Sequence, residues 1–487
     1  MAEELFNKDK EKNVSEWYFE LLKKAEVVDQ RYPVKGLLVH REIAAVAERE
    51  IYRLYEEELE KTGHKLHRFP SLIPLSVFAK EMEHVEGFTP EVFWIEKAGD
   101  DELPEKLGLR PTSEAVVHTM MSEWIRSWRD LPLKTYQECQ VWRYETKHTR
   151  PLLRDREFYW IETHNAFATR EEAEKQVLED MEITEKVLHE QLALPFLFFK
   201  RPDWDKFKGA VHTYAADVVM PNGIVIQQPS THFLGQNFAR AYDVKFVDDD
   251  GKEHYVWHTC YGPAISRILA SVIMMHGDNK GLKFPWSIAP YQVVIVPVLK
   301  KEADKQAVIE KCKQLYEKLK EKKIRVVLDL SDKRPGMKYY YWELKGACLR
   351  FEIGPKEAEK GFITVARRDT GKKEKVKEEE LDEYLKRVPE EFLANLRKEA
   401  DVAFKKCIHE AKTLKEVKKI LDEKGGFVRV EFCSRDFDGE ECAEKLRIET
   451  NGGKVRGTLV GGEEKPKGKC IVCGKPARAV VYVAREY

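Results

Sequence analysis

The sequence predicts three domains: an α+β domain over residues 1–283, an α/β domain over residues 284–389, and a small cysteine-bearing α+β domain over residues 390–487. The first of three observations behind this is length. At 487 residues the chain exceeds one hydrophobic core, and at roughly 100–200 residues per domain it suggests about three. The second is a change of pattern near Tyr291, where long helices and a hairpin give way to short apolar strands alternating with helices, as in a largely parallel sheet. The third is a tail in which cysteines recur at close spacing.

Composition supports a solvated, well-cored protein, with 43% hydrophobic, 11% aromatic and 35% charged residues. No apolar run approaches the roughly 20 residues that span a bilayer, and MAEELFNKDKEK lacks a signal peptide's apolar core. A cytoplasmic chain with no membrane partner is expected. Its nine cysteines are then reduced thiols or metal ligands rather than a disulfide framework. A net charge of -1 does not advertise a polyanionic partner, although residues 311–325 and 366–377 are locally basic. Each of those runs is equally a solvated helix face or turn.

The first domain opens with a helix around SEWYFELLKKAEV. A long helix follows over 41–63, where Ile43, Val46, Ile51, Leu54 and Tyr55 recur at helical spacing and Gly63 closes it. HRFPSLIPLSVF reads as extended. RPTSEAV sets Thr112 and Glu114 two apart at a helix entry, where they either cap the helix or point together at a ligand.

Glu138 to Phe167 reads as two strands around an arginine-loaded loop. Period two puts Arg143 and Glu145 on one face of the first strand, and Phe158, Trp160, Glu162 and His164 on one face of the second. Arg150, Arg154 and Arg156 load the loop, so the hairpin offers guanidinium forks for phosphate and a flat ring for a base. The plain alternative is a hairpin with solvated arginines. GIVIQQPSTHFLGQNF begins as an apolar strand and ends polar, carrying Gln227, Ser230, Thr231 and His232. In 262–282 an amphipathic helix bears Ile265, Ile268, Leu269, Val272 and Ile273. Arg267 lies beside that stripe, where a guanidinium needs a partner, and a triphosphate suits it.

WSIAPYQ (286–292) reads as a linker. Beyond it come strand YQVVIVPV, a helix over 301–323, strand IRVVLDL, helix GMKYYYWELKG, and strands ACLRFEIG and GFITVARRD. A charged helical region from about 390 precedes the tail, where Cys433, Cys442, Cys470 and Cys473 give C-x8-C-x27-C-x2-C. CIVCGKP is a zinc-knuckle signal, and four thiolates would make a closed, structural Zn2+ site.

These residues also carry a resemblance. The Arg-x-Glu strand, basic loop and Phe strand resemble motif 2 of class II aminoacyl-tRNA synthetases, and WRYE followed by RPLLRDREFYWIETHNAF is close to the prolyl-tRNA synthetase form. The 41–63 helix with the Pro70 segment resembles motif 1, the family's dimer interface, and GPAISR…HGD resembles motif 3. The order around WELKGACLRFEIGP is similar to the anticodon-binding domain of the prolyl, threonyl, histidyl and glycyl group.

The resemblance implies a class II catalytic fold on an antiparallel sheet, followed by an α/β anticodon-binding domain and a small α+β zinc-binding domain. It implies a homodimeric ligase of the archaeal and eukaryotic type that joins L-proline to ATP and then to tRNA(Pro). Thr112, Glu114, Arg143, Glu162, His164 and His232 would receive proline. Arg143 would bridge the proline carboxylate and the α-phosphate, with Glu145 and Phe158 at the adenine and Arg154 and Arg267 at the outer phosphates. Gln227 and Ser230 would also face ATP, although Thr231 is an equal candidate for the hydroxyl. Mg2+ would accompany ATP near Glu145 or Glu162. Arg143 and Arg267 stand as the catalytic pair. Glu343, Lys345, Arg367 and Arg368 would read the anticodon, and the Tyr487 carboxylate would lie near the active site. Between Phe167 and Gly262 there is no room for an editing insertion, so no proofreading is expected. The competing readings are a threonyl or histidyl synthetase and a non-catalytic tRNA-binding paralogue.

Overall fold

A computed structural model describes residues 6–84, 91–145, 149–299, 305–462 and 464–487. The expected helix start at 301–304 and part of the hairpin loop, 146–148, lie outside them. An 11-stranded sheet organises the molecule. From one edge its strands are Ile408–Glu410, Phe427–Phe432, Ala479–Ala484, Lys454–Leu459, Leu197–Lys200, His212–Val219, Val225–Gly235, Trp257–Gly262, Glu157–Phe167, Leu133–Trp142 and Lys65–Leu66. All neighbours pair antiparallel except the outermost pair at each edge.

The tail's strands therefore extend the first domain's sheet instead of forming a sheet apart. The join is Thr458↔Lys200 and Leu459↔Phe199. Gly457 permits it, because at φ +127° a Cβ there would fall 2.1 Å from the Lys200 carbonyl oxygen.

Two helices close one face. Glu42–Lys61 and Ile265–His276 pack together, burying Ile43, Ile51, Leu54 and Tyr55 of the first against the second inside one chain. Gly63, at φ +87°, returns its N–H to Glu60 O at 3.0 Å and ends the first helix as expected. The segment after it is extended only to Pro74, and a helix starts at Leu75.

A five-stranded sheet forms the middle of the chain, ordered Val326–Leu328, Val293–Pro297, Leu349–Ile353, Phe362–Arg367, Lys373–Lys377. The first three strands run parallel and the last two antiparallel, so the sheet is mixed. The basic run at 366–377 is its closing hairpin, and the run at 311–325 covers helix Lys305–Glu321, whose Lys311 and Lys318 pair with Glu378 and Asp382. The expected linker is buried at Ile288 and Ala289, and Arg325 pins it by donating to Ala289 O, Trp286 O and Ser287 O at 2.7, 3.1 and 2.6 Å. Among the described residues no helix is long and apolar enough to cross a membrane.

Candidate active site

A cavity of about 400 Å³ lies on the central sheet. Strand alternation supplies its floor: Phe158, Trp160 and Glu162 from one strand, Ser230 and His232 from another, and Cys260 and Gly262 from the strand between them. Thr112 and Glu114 enter from the start of helix Glu114–Trp124, Arg267 from helix Ile265–His276, and Arg143 from the chain just beyond strand Leu133–Trp142.

At one end, acceptors outnumber donors. The Thr112 hydroxyl lies within bonding reach of two carboxylates, Glu114 Oε2 and, at 2.9 Å, Glu162 Oε1. Ser113 donates its N–H to Glu162 Oε1 at 3.2 Å and its hydroxyl to Glu162 Oε2, and Gln137 also donates to that oxygen at 3.3 Å. Glu162 is thus a buried post that holds the Thr112–Ser113 turn, with no capacity left for a metal ion. Nothing caps the helix through Ser113, so the capping alternative fails. Glu114 sits at the helix N-terminus, where the backbone favours an anion, and faces the cavity with acceptor capacity to spare. A ligand carrying two N–H donors fits that deficit.

The other end is cationic and aromatic. The Arg143 guanidinium opens to the cavity, 5.4 Å over the Phe158 ring and 5.0 Å over Trp160, and its Nε–H donates to Pro111 O at 3.1 Å. Desolvation lowers its pKa. Among the described residues Arg267 donates only to carbonyls, Leu153 O at 3.2 Å and Gln227 O at 3.3 Å. Burial, then the charges of Arg143 and Arg154, pull its pKa down to about 10. Positive charge accumulates there, and among the described residues neither Arg143 nor Arg267 is held in an ion pair, which is the electrostatic complement of a polyphosphate. Gly262 makes the aromatic wall possible, because a Cβ there would meet Trp160 Cζ2 and Nε1 at 2.7 Å.

His232 is neutral, its pKa pulled down to about 3 by burial, with Nδ1 against Thr213 Oγ1 at 2.9 Å and Nε2 against Ser230 Oγ at 3.1 Å. The face question at Ser230 and Thr231 has a geometric answer. Ser230 lines the cavity, whereas Thr231 is fully buried on the opposite face and donates to Asp180 Oδ2 at 2.7 Å.

Several expected positions differ. Arg143 and Glu145 are not on the strand, which ends at Trp142, and Glu145 turns away to accept from Arg154 Nε at 2.7 Å instead of lining the cavity. His164 shares the Trp160 face but lies below the cavity, 1% exposed, and among the described residues neither ring nitrogen has a hydrogen-bond partner.

The four anticodon candidates are engaged inside the protein. Lys345 is buried against Glu26 at 2.7 Å, and Arg368 forks onto Asp278 at 2.7 and 2.6 Å. Arg367 pairs with Asp369 and Glu391, and Glu343 with Arg350. Lys345 and Arg368 bolt the middle domain to the first, as Arg325 does through Glu50 at 3.2 Å. Tyr487 donates its backbone N–H to Val225 O at 3.2 Å, and its ring lies 4.5 Å from the Arg150 guanidinium, beside the arginine-rich loop.

Sequence reasoning missed the segment 201–217. Arg201 forks onto Asp217 at 3.0 and 2.7 Å and also donates to Gln227 Oε1 at 2.9 Å. Asp217 is shared with Arg456 of the tail, at 2.7 and 3.1 Å, and Arg456 pairs with Glu486. A buried ion network thus ties the tail to a cavity side chain. Its only sequence signal is charge inside apolar strands, which does not reveal the partner. In the tail, the four cysteine Sγ atoms lie within 4.8 Å of one another. Gly474, at φ +71°, makes the tight turn that brings Cys470 and Cys473 together. Four soft donors at that separation fit a tetrahedral thiolate site.

Comparisons with known proteins agree along the chain. Residues 93–276 match the tRNA synthetase class II core domain (G, H, P, S and T), residues 292–388 the anticodon binding domain, and residues 414–487 the prolyl-tRNA synthetase C-terminal domain. A proline--tRNA ligase of Thermofilum pendens is 51% identical over 100% of both chains, and one of Pyrococcus abyssi 42% identical over 98% of each. The solved structure of Giardia lamblia prolyl-tRNA synthetase in complex with prolyl-adenylate covers 99% of this chain and 100% of its own at 35% identity, with a TM-score of 0.94.

Proposed function

The chain belongs to the class II prolyl-tRNA synthetase family, and from that premise we propose how its cavity carries out the family's reaction. The activity is that of a proline–tRNA ligase: L-proline and ATP give prolyl-adenylate and pyrophosphate, and the prolyl group then passes to the 3'-terminal adenosine of tRNA(Pro). The observation that carries the site assignment is the pairing of an acceptor-rich end at Glu114 with an anion-hungry end at Arg143 and Arg267 in one cavity.

Proline's ring ammonium presents two N–H donors to Glu114 and Thr112, its ring rests among Trp160, Phe207 and His232, and its carboxylate points at Arg143. Adenine stacks on Phe158, and the outer phosphates take Arg267 and, from the rim, Arg154. Ser230 and Gln227 border the nucleotide, while Glu162 supports Thr112. Magnesium enters with ATP as part of the substrate. The proline carboxylate is already ionised at neutral pH and needs no general base. Its oxygen bonds the α-phosphorus as the bond to pyrophosphate breaks, and the electron pair leaves with pyrophosphate. Arg143 holds both anions together while offsetting their charge. In transfer, the terminal ribose hydroxyl attacks the prolyl carbonyl and AMP leaves.

Around this core we assign residues 1–283 to catalysis, 284–389 to the tRNA anticodon and 390–487 to a structural zinc domain held by Cys433, Cys442, Cys470 and Cys473, in a cytoplasmic homodimer. Exposed Leu66, Leu72, Trp94, Trp124 and Trp128 favour a dimer face beside the edge strand, in place of the buried helix stripe. The segment between Phe167 and Gly262 is taken up by the helical stretch 170–191, strands of the sheet itself, the short helix Asn237–Ala241 and a small hairpin, Lys245–Val247 with Glu253–Tyr255, and on that length we assign no editing domain. Metal analysis should find about one zinc per chain, and none would remove the thiolate site.

Amino-acid-dependent exchange of labelled pyrophosphate into ATP tests the whole reading. Proline should support exchange and Arg143→Ala should abolish it. Exchange with threonine or histidine alone would overturn the substrate, and none with any amino acid would favour the non-catalytic paralogue.

A further inference from the structure

Beneath the cavity is a group of side chains that the reaction does not use as a group. The carboxylate of Glu114, the imidazole of His164 and the thiol of Cys260 are all buried, and their ligand atoms lie within 4.8 Å of one another. Cys260 and His164 are direct cross-strand partners, so their side chains share a face, and Cys260 Sγ is 3.4 Å from Glu114 Oε1. His164 supplies the independent observation: it is 1% exposed, and neither ring nitrogen has a hydrogen-bond partner among the described residues. An orphaned buried imidazole carries a cost that a bound group would remove. The neighbouring carboxylate, Glu162, is already engaged by Thr112, Ser113 and Gln137, which leaves Glu114 to complete the set. Glu114 and Cys260 line the cavity, so an ion has a route in.

We infer that Glu114, His164 and Cys260 form a second metal site, distinct from the four-cysteine cluster, which takes a soft divalent cation of the zinc class and excludes proline when filled. One thiolate, one imidazole and one carboxylate suit Zn2+, Co2+ or Cd2+ and not Mg2+ or Ca2+. Three protein donors leave a fourth position toward the cavity. The exclusion rests on the reading that Glu114 takes proline's ammonium, since one carboxylate cannot serve both cations. The metal is therefore an inhibitor competitive with proline, reversible by chelation.

The test is a Co2+ titration of the full chain whose four-cysteine site is filled with zinc, following thiolate-to-cobalt charge-transfer absorption with and without proline. One equivalent should bind through a single thiolate, and proline should raise its apparent Kd in proportion to proline concentration. Outer-shell substitutions alone weaken metal sites by about 10–100-fold, so Cys260→Ala and His164→Gln should each cost at least that. Each variant's thermal unfolding midpoint is compared with that of the parent, so that loss of fold is not mistaken for loss of a ligand. No cobalt binding beyond the four cysteines, or a charge-transfer band that persists in folded Cys260→Ala, would overturn the site. A band lost in Cys260→Ala but indifferent to proline would keep the metal site and overturn the exclusion, and with it the placing of proline on Glu114.

Discussion

Replacing Gly262 by alanine should disable the site without unfolding the protein. A Cβ there falls 2.7 Å from Trp160 Cζ2 and Nε1 and 2.9 Å from Cε2. Carbon atoms pack at about 3.5–4.0 Å, so the indole must recede by roughly 1 Å. Gly262 is not among the positive-φ glycines, and the penalty is steric alone. The Trp160 backbone is held by Cys139 on one side and by an isolated bridge to Ala264 on the other, and the open space is the cavity, toward the Arg143 guanidinium at 5.0 Å. Overpacking of this kind costs about 1–3 kcal/mol of stability, whereas a displacement of about 1 Å at reacting groups costs about 100-fold in rate. At about 1.4 kcal/mol per tenfold, kcat/KM in proline-dependent pyrophosphate exchange should fall about 100-fold, about 2.8 kcal/mol of transition-state stabilisation. Trp160→Phe in the same chain, with a smaller ring, should recover part of the loss. A folded Gly262→Ala protein within about threefold of the parent would refute the argument that this glycine sets the position of Trp160 and Arg143.

Asp217→Asn leaves the Arg201 and Arg456 guanidiniums buried against a neutral amide, and breaking such a pair costs about 3–5 kcal/mol. The thermal midpoint should drop, and KM for ATP should rise through Gln227 while KM for proline stays near its parent value; an unmoved midpoint would contradict the network. Ser230→Ala should lower exchange activity at unchanged stability, whereas Thr231→Val should remove the hydroxyl that Asp180 accepts and cost about 1–3 kcal/mol of stability, and the opposite pattern would sink the face assignment. Burial pushes Asp180 up to about 7, above its unfolded value of about 3.9. Its contribution to stability is therefore full below the ordinary carboxylate range and is lost as pH rises through about 7. Asp180→Asn should flatten that part of the decline in thermal midpoint, and an unchanged profile would refute it.

Much of the site was legible because strand alternation is local. Phe158, Trp160 and Glu162 share a face in the sequence pattern and in the cavity, and Arg267 stands beside its helix stripe in both. Glu145 departed because the strand ends at Trp142, and beyond a strand end period two no longer governs direction. The anticodon candidates departed for another reason. A charged residue looks the same in sequence whether solvated or paired, and the acids that claim Lys345 and Arg368, Glu26 and Asp278, lie in the other domain. The basic runs lie on a helix whose Lys311 and Lys318 meet Glu378 and Asp382, and on an edge hairpin.

Order and alternation of residue types are already present in the linear chain: an arginine-bearing hairpin, a Thr-x-Glu helix entry, a helix with an inward arginine and four spaced cysteines. These depend on neighbours a few positions apart, where backbone geometry dictates side-chain direction. It took the folded chain to show that Glu162 is engaged by Thr112 and Ser113, that Ser230 and not Thr231 faces the cavity, and that the tail joins the central sheet through Gly457 and the Asp217 network. Those outcomes turn on burial and on charges paired across distant stretches of chain. A lone residue's chemistry cannot announce its partner, because the cost of leaving a buried charge unmatched arises only once the chain has closed around it.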